Sequence, residues 1–126
     1  MSNIPEELLY TKEHLWIKVE GTIATMGITD FAQEQLGDIL FVDLPRIDSE
    51  VVADEVFTEV ESSNDSLEFP SPVTGKVIAS NESLVDEPQG INENPYENWI
   101  VKIELSDLSE LDELLSETDY EASIEE

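Results

Sequence analysis

The chain has no cysteine, one histidine and only five basic residues against 31 acidic ones, so its formal net charge is −26. Without cysteine there is no disulfide framework, no thiol nucleophile and no cysteine-ligated zinc site. A phosphate-rich partner needs clustered positive charge. The few cations are instead scattered along the chain, at Lys12, Lys18, Arg46, Lys76 and Lys102. These absences predict a protein with no nucleic-acid partner and no membrane partner.

Long apolar runs are also missing. The longest covers residues 39–42, whereas a membrane-spanning helix needs about 20. The first seven residues have neither the basic start nor the apolar stretch of a secretory signal. We therefore expect a soluble, cytoplasmic protein. Its 126 residues predict a single domain, with a core over about 9–105 and a C-terminal helical segment over about 106–126.

Short apolar runs separated by turn residues predict a mainly β fold. Residues 16–19 and 22–28 flank Gly21 as the two strands of a hairpin would. Residues 39–44 have the pattern of a buried strand, and residues 56–60 alternate as a half-buried strand does. Further strands are expected at 73–78 and 99–105. This spacing favours a flattened antiparallel sandwich or barrel over parallel β-α-β units.

Helical signals are few. Thr29 is placed to cap a short helix over residues 30–36, and Gly37 is placed to end it. Residues 107–110 resemble a capping box, followed by leucines predicted to share one face: Leu108, Leu111, Leu114 and Leu115. A second C-terminal helix is expected to begin near Thr118. Residues 106–126 contain no basic side chain, which fits either a solvated face or an acidic docking surface for a basic partner.

Candidate catalytic groups are scarce. His14 is the only possible histidine base, and a lone histidine beside a strand is more typical of structure than of catalysis. With 31 acids, paired carboxylates arise without functional meaning. Neither a calcium-loop spacing nor a glycine-rich phosphate loop occurs. We therefore predict a binding or carrier protein with no catalytic residue and no metal site, while a hydrolase using scattered carboxylates is the disfavoured alternative.

Three collinear parts of the chain have a recognisable pattern: residues 27–39 (GITDFAQEQLGDI), residues 60–63 (VESS) with 71–77 (SPVTGKV), and residues 91–99 (INENPYENW) with 105–111 (LSDLSEL). Together these stretches resemble the glycine cleavage system H protein family. The similarity extends from about residue 9 to 120. The first stretch distinguishes this family from the lipoyl domains of 2-oxoacid dehydrogenases, which resemble the chain only in the hairpin pattern.

The resemblance implies a biotinyl/lipoyl-type hybrid motif with a C-terminal helical extension. Family members carry lipoate as an amide on a lysine at a hairpin tip. The lipoyl arm takes an aminomethyl group from glycine decarboxylase to a folate-dependent aminomethyltransferase, and dihydrolipoyl dehydrogenase reoxidises it. These three enzymes, and enzymes that process lipoyl groups, are the partners that the resemblance implies. Covalent attachment keeps such a cargo at high effective concentration near each active site.

Asn64 occupies the position where the resemblance places the lipoyl lysine. The register counted from both flanks of the hairpin agrees on this residue, and no basic residue lies between Arg46 and Lys76. A carboxamide nitrogen is not nucleophilic, so we predict no lipoate on this chain. The surrounding residues are predicted to form a polar turn that is either simply capped by its own bonds or recognised by partners: Glu61, Ser62, Ser63 and Asp65.

A second departure from the family lies at Leu15. Family members usually have His-Glu-Trp where this chain has His14, Leu15 and Trp16. The resemblance implies that this glutamate lies in the cleft that shelters the amine cargo, a part that Leu15 cannot play. We expect Leu15 to be an ordinary apolar packing residue beside Trp16.

Two functions stay open at this point. In the first, the chain is an H-like scaffold of the aminomethyl carrier that acts through protein recognition without lipoate. In the alternative, it is a working lipoyl-bearing H protein, the shuttle between decarboxylase and aminomethyltransferase, whose lysine has been changed to Asn64. A single base separates common lysine and asparagine codons.

Overall fold

The computed structural model describes residues 8–124. Nine strands lie within this range: β1 (Leu9–Tyr10), β2 (Leu15–Glu20), β3 (Ile23–Ile28), β4 (Ile39–Val42), β5 (Glu50–Val51), β6 (Val56–Ser62), β7 (Ser66–Pro70), β8 (Gly75–Ser80) and β9 (Val101–Leu105). The helices in the same range are α1 (Asp30–Leu36), α2 (Ser83–Asp86), α3 (Gly90–Glu93), a 3₁₀ helix (Leu108–Glu113) and α4 (Glu117–Ile124).

The strands form two antiparallel sheets. The larger sheet has the order β1-β2-β3-β9-β8-β5, and the smaller has the order β4-β6-β7. The prediction of a mainly β, antiparallel fold with short helices is confirmed. The barrel form of that prediction is wrong, because within residues 8–124 each sheet ends in edge strands and neither closes on itself.

The predicted hairpin around Gly21 is present. β2 and β3 pair from Leu15 opposite Ile28 to Glu20 opposite Ile23. Gly21 has φ +64°, a left-handed conformation that glycine adopts without strain.

Helix α1 has the bounds that its sequence predicts. The Thr29 side chain accepts a hydrogen bond from the Ala32 amide at 3.2 Å, which caps the first turn. Gly37 ends the helix with φ +82° and ψ −151°, a region of backbone space that is essentially restricted to glycine.

One buried apolar cluster joins both sheets to α1, and we call it the main core. Leu15 is fully buried in it, as expected of an apolar packing residue, although Trp16 belongs to a different cluster. The prediction of a uniformly buried strand over residues 39–44 is wrong. β4 ends at Val42, and Leu40 and Phe41 are 56% and 49% exposed. The pairing of β4 with β6 shifts register between Ile39 and Phe41, and such a bulge turns neighbouring side chains away from the core.

The C-terminal segment is helical, as expected, but its details differ. The Asp107 carboxylate accepts from the Ser109 amide at 3.0 Å, and the Glu110 carboxylate is not part of a capping box. Instead it accepts hydrogen bonds from the Thr74 amide and hydroxyl, at 2.6 and 2.9 Å. The four leucines do not share a face. Leu108 is exposed, whereas Leu111 and Leu114 pack on the main core and Leu115 packs elsewhere.

Leu115 packs on a second cluster, which we call the aromatic cluster: Tyr10, Trp16, Tyr96, Trp99 and Tyr120. The Tyr10 and Tyr120 rings stack with centroids 4.8 Å apart. These contacts hold α4 against β1. No helix within residues 8–124 has the length and apolar character needed to cross a bilayer.

Candidate functional site at the hairpin tip

The hairpin of β6 and β7 carries the predicted site. The two strands pair antiparallel, and their last pair joins Glu61 to Ser66. Ser63, Asn64 and Asp65 connect the strands and are exposed to solvent. The structure therefore places Asn64 at the tip of a hairpin. Its equivalence to a lipoyl lysine stays a prediction from the sequence register.

The tip turn is closed by its own polar groups. The Asp65 carbonyl accepts hydrogen bonds from the Ser62 amide and from the Ser62 hydroxyl, both at 2.8 Å. The Asp65 amide donates back to the Ser62 hydroxyl at 3.1 Å, and the Asp65 carboxylate accepts from the Ser66 amide at 2.8 Å. This turn is stable without any attached group, because its bonds come from Ser62 and Asp65 and not from the Asn64 side chain.

The predicted recognition residues divide into two groups. Ser62, Ser63 and Asp65 surround Asn64 in the turn. Glu61 lies one step down β6, opposite Phe41 of β4. The half-exposed Phe41 ring position is thus next to the acidic side chain, a neighbour that the sequence pattern did not predict.

The tip lies against the C-terminal end of α1. The Ser63 amide donates to the Asp38 carbonyl at 2.9 Å. The Asn64 carboxamide lies over Gly37, so closely that a Cβ on that glycine would be 2.8 Å from Asn64 Nδ2. We call residues 37–39 the helix-end loop; they are the two residues between α1 and β4 together with the first residue of β4, and all three contact the tip.

Asn92, on α3, was not predicted as part of the site. Its Oδ1 accepts from the Ile39 amide at 2.8 Å, and its Nδ2 donates to the Gly37 carbonyl at 2.7 Å and to Gln33 Oε1 at 2.9 Å. The only sequence signal for it is its position inside the third stretch that resembles the H protein family. Local pattern cannot reveal a contact made across more than fifty residues.

The lysine nearest in sequence beyond the tip, Lys76, belongs to the other sheet. It lies on β8, and its Nζ is 3.6 Å from Asp48 Oδ1 at the exposed surface. Lipoate requires a primary amine at the tip, and Asn64 supplies only a carboxamide. The residues at this position therefore do not fit an attached lipoyl group.

The His14 side chain lies against two aromatic residues, Tyr120 and Phe31. Its Nδ1 is 2.9 Å from the Tyr120 hydroxyl, and its ring centroid is 4.8 Å from that of Phe31. Burial lowers the pKa of His14, an effect that the Glu13 carboxylate opposes. Burial also raises the pKa values of Tyr96 and Tyr120 to about 12. The Tyr120 hydroxyl is also 2.7 Å from Thr29 Oγ1, which ties α4 to the N-terminal end of α1, and the Tyr96 hydroxyl accepts from the Asp30 amide at the same helix end.

A groove of about 330 Å³ opens beside the helix-end loop, with Ile39 and Leu40 on one side and Asp86, Glu87 and Glu93 among its other lining residues. It contains carboxylates and apolar carbons but no cation. Within residues 8–124, no set of three or more histidine or carboxylate side chains is arranged to hold a metal ion.

Comparison with known proteins agrees with this architecture. Residues 8–126 match the family model described as "Glycine cleavage H-protein". The chain is 52% identical over 124 residues to the glycine cleavage system H protein of Staphylococcus haemolyticus, covering 98% of each chain. It is 51% identical over 127 aligned residues to that of Halalkalibacterium halodurans, covering 100% of this chain and 99% of the relative.

A solved structure has the same fold. The crystal structure of a glycine cleavage system H protein from Mycobacterium marinum is similar with a TM-score of 0.87 and 32% sequence identity, covering 94% of this chain and 97% of the other. The sequence stretches, the two-sheet fold and these similarities together show that the chain belongs to the glycine cleavage H-protein family.

Proposed function

We propose that this chain is an H-like scaffold of the glycine cleavage system that carries no lipoate and acts through protein recognition at its hairpin tip. The observation that supports this most directly is Asn64 at the exposed tip, in a turn closed by other residues. H proteins are lipoyl carriers and not catalytic enzymes, so the proposal changes what the scaffold carries and leaves its non-catalytic character unchanged.

The chemistry of attachment explains why Asn64 cannot take the lysine's part. A deprotonated lysine amine attacks the carbonyl carbon of an activated lipoyl group, the activating group leaves, and an amide forms. In a carboxamide the nitrogen lone pair is delocalised into the neighbouring carbonyl. Asn64 therefore has no nucleophile to offer.

The surface around the tip supports a role in recognition. Glu61 and Asp65 lie at the hairpin end, and a separate acidic groove, lined by Asp86, Glu87 and Glu93, lies beside Ile39 of the helix-end loop. Such a surface complements a partner with exposed lysine or arginine side chains, and charge complementarity of this kind speeds association and selects partners. We propose as partners the enzymes that recognise H proteins: glycine decarboxylase, aminomethyltransferase, dihydrolipoyl dehydrogenase or lipoyl-processing enzymes.

Intact mass after incubation with lipoate, ATP and a lipoate ligase tests the missing modification. We expect no mass gain for the unsubstituted chain and one lipoyl group on Asn64→Lys. Ser63→Lys is the matched control, because it places an amine on the same turn one residue out of register. A lipoyl group on the unsubstituted chain would show that another lysine is used and would overturn the proposal.

Competition tests recognition separately. The unsubstituted chain is expected to inhibit lipoylation of the Asn64→Lys chain competitively, because both present the same hairpin to the ligase. Chains with both Glu61→Arg and Asp65→Arg substitutions should compete less well, since they reverse the charge beside the tip without adding an amine that could be acylated. An absence of inhibition by the unsubstituted chain at concentrations far above the KM of the Asn64→Lys substrate would contradict recognition through the tip.

A further inference from the structure

One side chain, that of Asn92, bonds to both ends of the helix-end loop. Three hydrogen bonds join this side chain to the loop and to α1, at 2.7 to 2.9 Å. The chemistry of the partners determines the orientation of the amide group. Its oxygen must face the Ile39 N–H, and its nitrogen must face the Gly37 carbonyl and Gln33 Oε1, which are both acceptors.

The loop in turn supports the tip through three adjacent contacts. Ile39 pairs with Ser62, the Asp38 carbonyl accepts from the Ser63 amide, and Gly37 lies beneath the Asn64 carboxamide. Each of the three loop residues thus contacts one of three consecutive tip residues. A displacement of the loop therefore disturbs the backbone contacts to Ser62 and Ser63, which lie directly before residue 64.

We propose that Asn92 is a positioning residue for the hairpin tip. It holds the helix-end loop so that residue 64 is presented in one orientation to a lipoate-transferring enzyme. The inference rests on the proposed function, in which such an enzyme recognises the tip even though Asn64 is not modified. Asn92 acts through the loop, since its own bonds go to Gln33, Gly37 and Ile39.

The test uses Asn64→Lys as the background, so that lipoate attachment reports on presentation of the tip. Asn92→Ala removes all three bonds. Asn92→Asp keeps the side-chain size and the acceptor for the Ile39 amide, but it turns a carboxylate oxygen toward two acceptors, the Gly37 carbonyl in the loop and Gln33 Oε1 on α1. Asn98→Ala is the matched control, because Asn98 also donates two hydrogen bonds near α3, to the Gly90 and Asn94 carbonyls, without touching the loop.

We expect the KM for the Asn92→Ala chain to rise about three- to tenfold with kcat unchanged, because fewer molecules present the tip in the competent orientation. Asn92→Asp should raise KM at least as much, although a purely space-filling role would tolerate it. Asn98→Ala should change KM by less than about twofold. An unchanged KM for Asn92→Asp would overturn the proposal.

Hydrogen exchange on the chain with Asn64 provides a readout that needs no lipoate. In Asn92→Ala the amides of Ile39 and Ser63 should exchange about tenfold faster or more, while those in β2 and β3 keep their rates. Equal exchange at Ile39 and Ser63 would overturn the positioning role. If Asn64→Lys is not lipoylated at all, the preserved-scaffold part of the proposed function fails, and exchange alone decides the role of Asn92.

Discussion

Gly27 and Gly37 each lie beneath a side chain from a neighbouring segment, and the two sites differ in what surrounds that side chain. A Cβ at Gly27 would be 2.8 Å from the indole Nε1 of Trp16, and one at Gly37 would be equally close to Asn64 Nδ2. Trp16 is 2% exposed, and its indole N–H donates to the Pro95 carbonyl. Asn64 is exposed and has solvent beside it.

The comparison separates a region that resists substitution from one that accepts it. In the aromatic cluster the covering side chain has no space into which to move, so packing determines which residues are tolerated. At the tip the turn is closed by Ser62 and Asp65, so residue 64 contributes little to folding. A lysine and an asparagine can therefore exchange at position 64 with the fold intact, although the exchange changes the chemistry completely.

The largest expected effect is at Trp16. Trp16→Ala should lower the free energy of unfolding by about 3–5 kcal/mol, because it leaves a cavity in the aromatic cluster. Phe41→Ala is the matched control, since it removes another aromatic ring from a half-exposed position and should cost less than about 1 kcal/mol. Urea unfolding of both variants measures the difference. Equal losses would mean that the two regions do not differ in packing.

Alanine substitutions at Gly27 and at Gly37 are expected to destabilise the chain for different reasons. Gly27→Ala should cost about 1–3 kcal/mol through overpacking against the indole. The double variant Gly27→Ala, Trp16→Phe should lose less free energy of unfolding than the sum of the two single variants. The difference should exceed about 0.5 kcal/mol, because the smaller ring relieves the contact with the added methyl group.

Gly37→Ala should also cost about 1–3 kcal/mol, but because of its backbone conformation. Its loss should therefore add to that of Asn64→Ala to within about 0.5 kcal/mol. If the interaction energy between positions 37 and 64 were as large as that between positions 27 and 16, the Asn64 side chain would be held in place. That result would contradict the expectation from its exposure to solvent. Both double-mutant cycles can be measured by urea unfolding.

Tyr120→Phe should cost about 1–2 kcal/mol, because the hydroxyl contacts Thr29 Oγ1 at 2.7 Å and His14 Nδ1. The natural chain should also lose stability as pH rises from 10 toward 12. Over that range the unfolded tyrosine releases its proton while the buried one, with a pKa of about 12, retains it. Urea unfolding at pH 8 and pH 11 measures how much the free energy of unfolding falls between these pH values. The fall should be smaller for Tyr120→Phe, and we expect Tyr96 to cause the part that remains.

A smaller pH effect is expected on the acid side from His14. Its lowered pKa means that the unfolded chain binds a proton more readily, so the stability that this group contributes is complete above pH 6.5 and decreases as pH falls through the folded pKa. His14→Asn is the suitable variant, because asparagine accepts the positive φ of +72° at this position. The measured quantity is the difference in Tm between the unsubstituted chain and this variant. That difference should narrow from pH 7.5 to pH 5.5, and a constant difference would contradict the assignment.

The smallest expected effect is at the tip. Asn64→Lys should change the free energy of unfolding by less than about 0.5 kcal/mol, because no hydrogen bond of the turn uses the Asn64 side chain. Urea unfolding checks this, with Ser62→Ala for comparison, which removes a hydroxyl that bonds to both the Asp65 carbonyl and the Asp65 amide. A loss at Asn64→Lys as large as that at Ser62→Ala would show that position 64 helps to close the turn.

The parts of this protein that follow from sequence are those with local causes. Thr29 and Gly37 bound α1 because a cap and a left-handed terminus are encoded within one helical turn. Gly21 marks the β2–β3 hairpin for a similar reason. The stretches that resemble the H protein family predict more than these local signals do. From them the lipoyl-type fold and the position of the hairpin are predicted before any contact is known.

Tertiary structure alone decided the surroundings of the tip. A register shift between β4 and β6 exposes Leu40 and Phe41, and Glu110 bonds to Thr74 instead of its own helix. Asn92 reaches the helix-end loop from α3. Sequence determined that residue 64 is an asparagine in a polar turn. Its support depends on bonds between segments distant in the chain, whose formation requires the two sheets and α1 to be packed together.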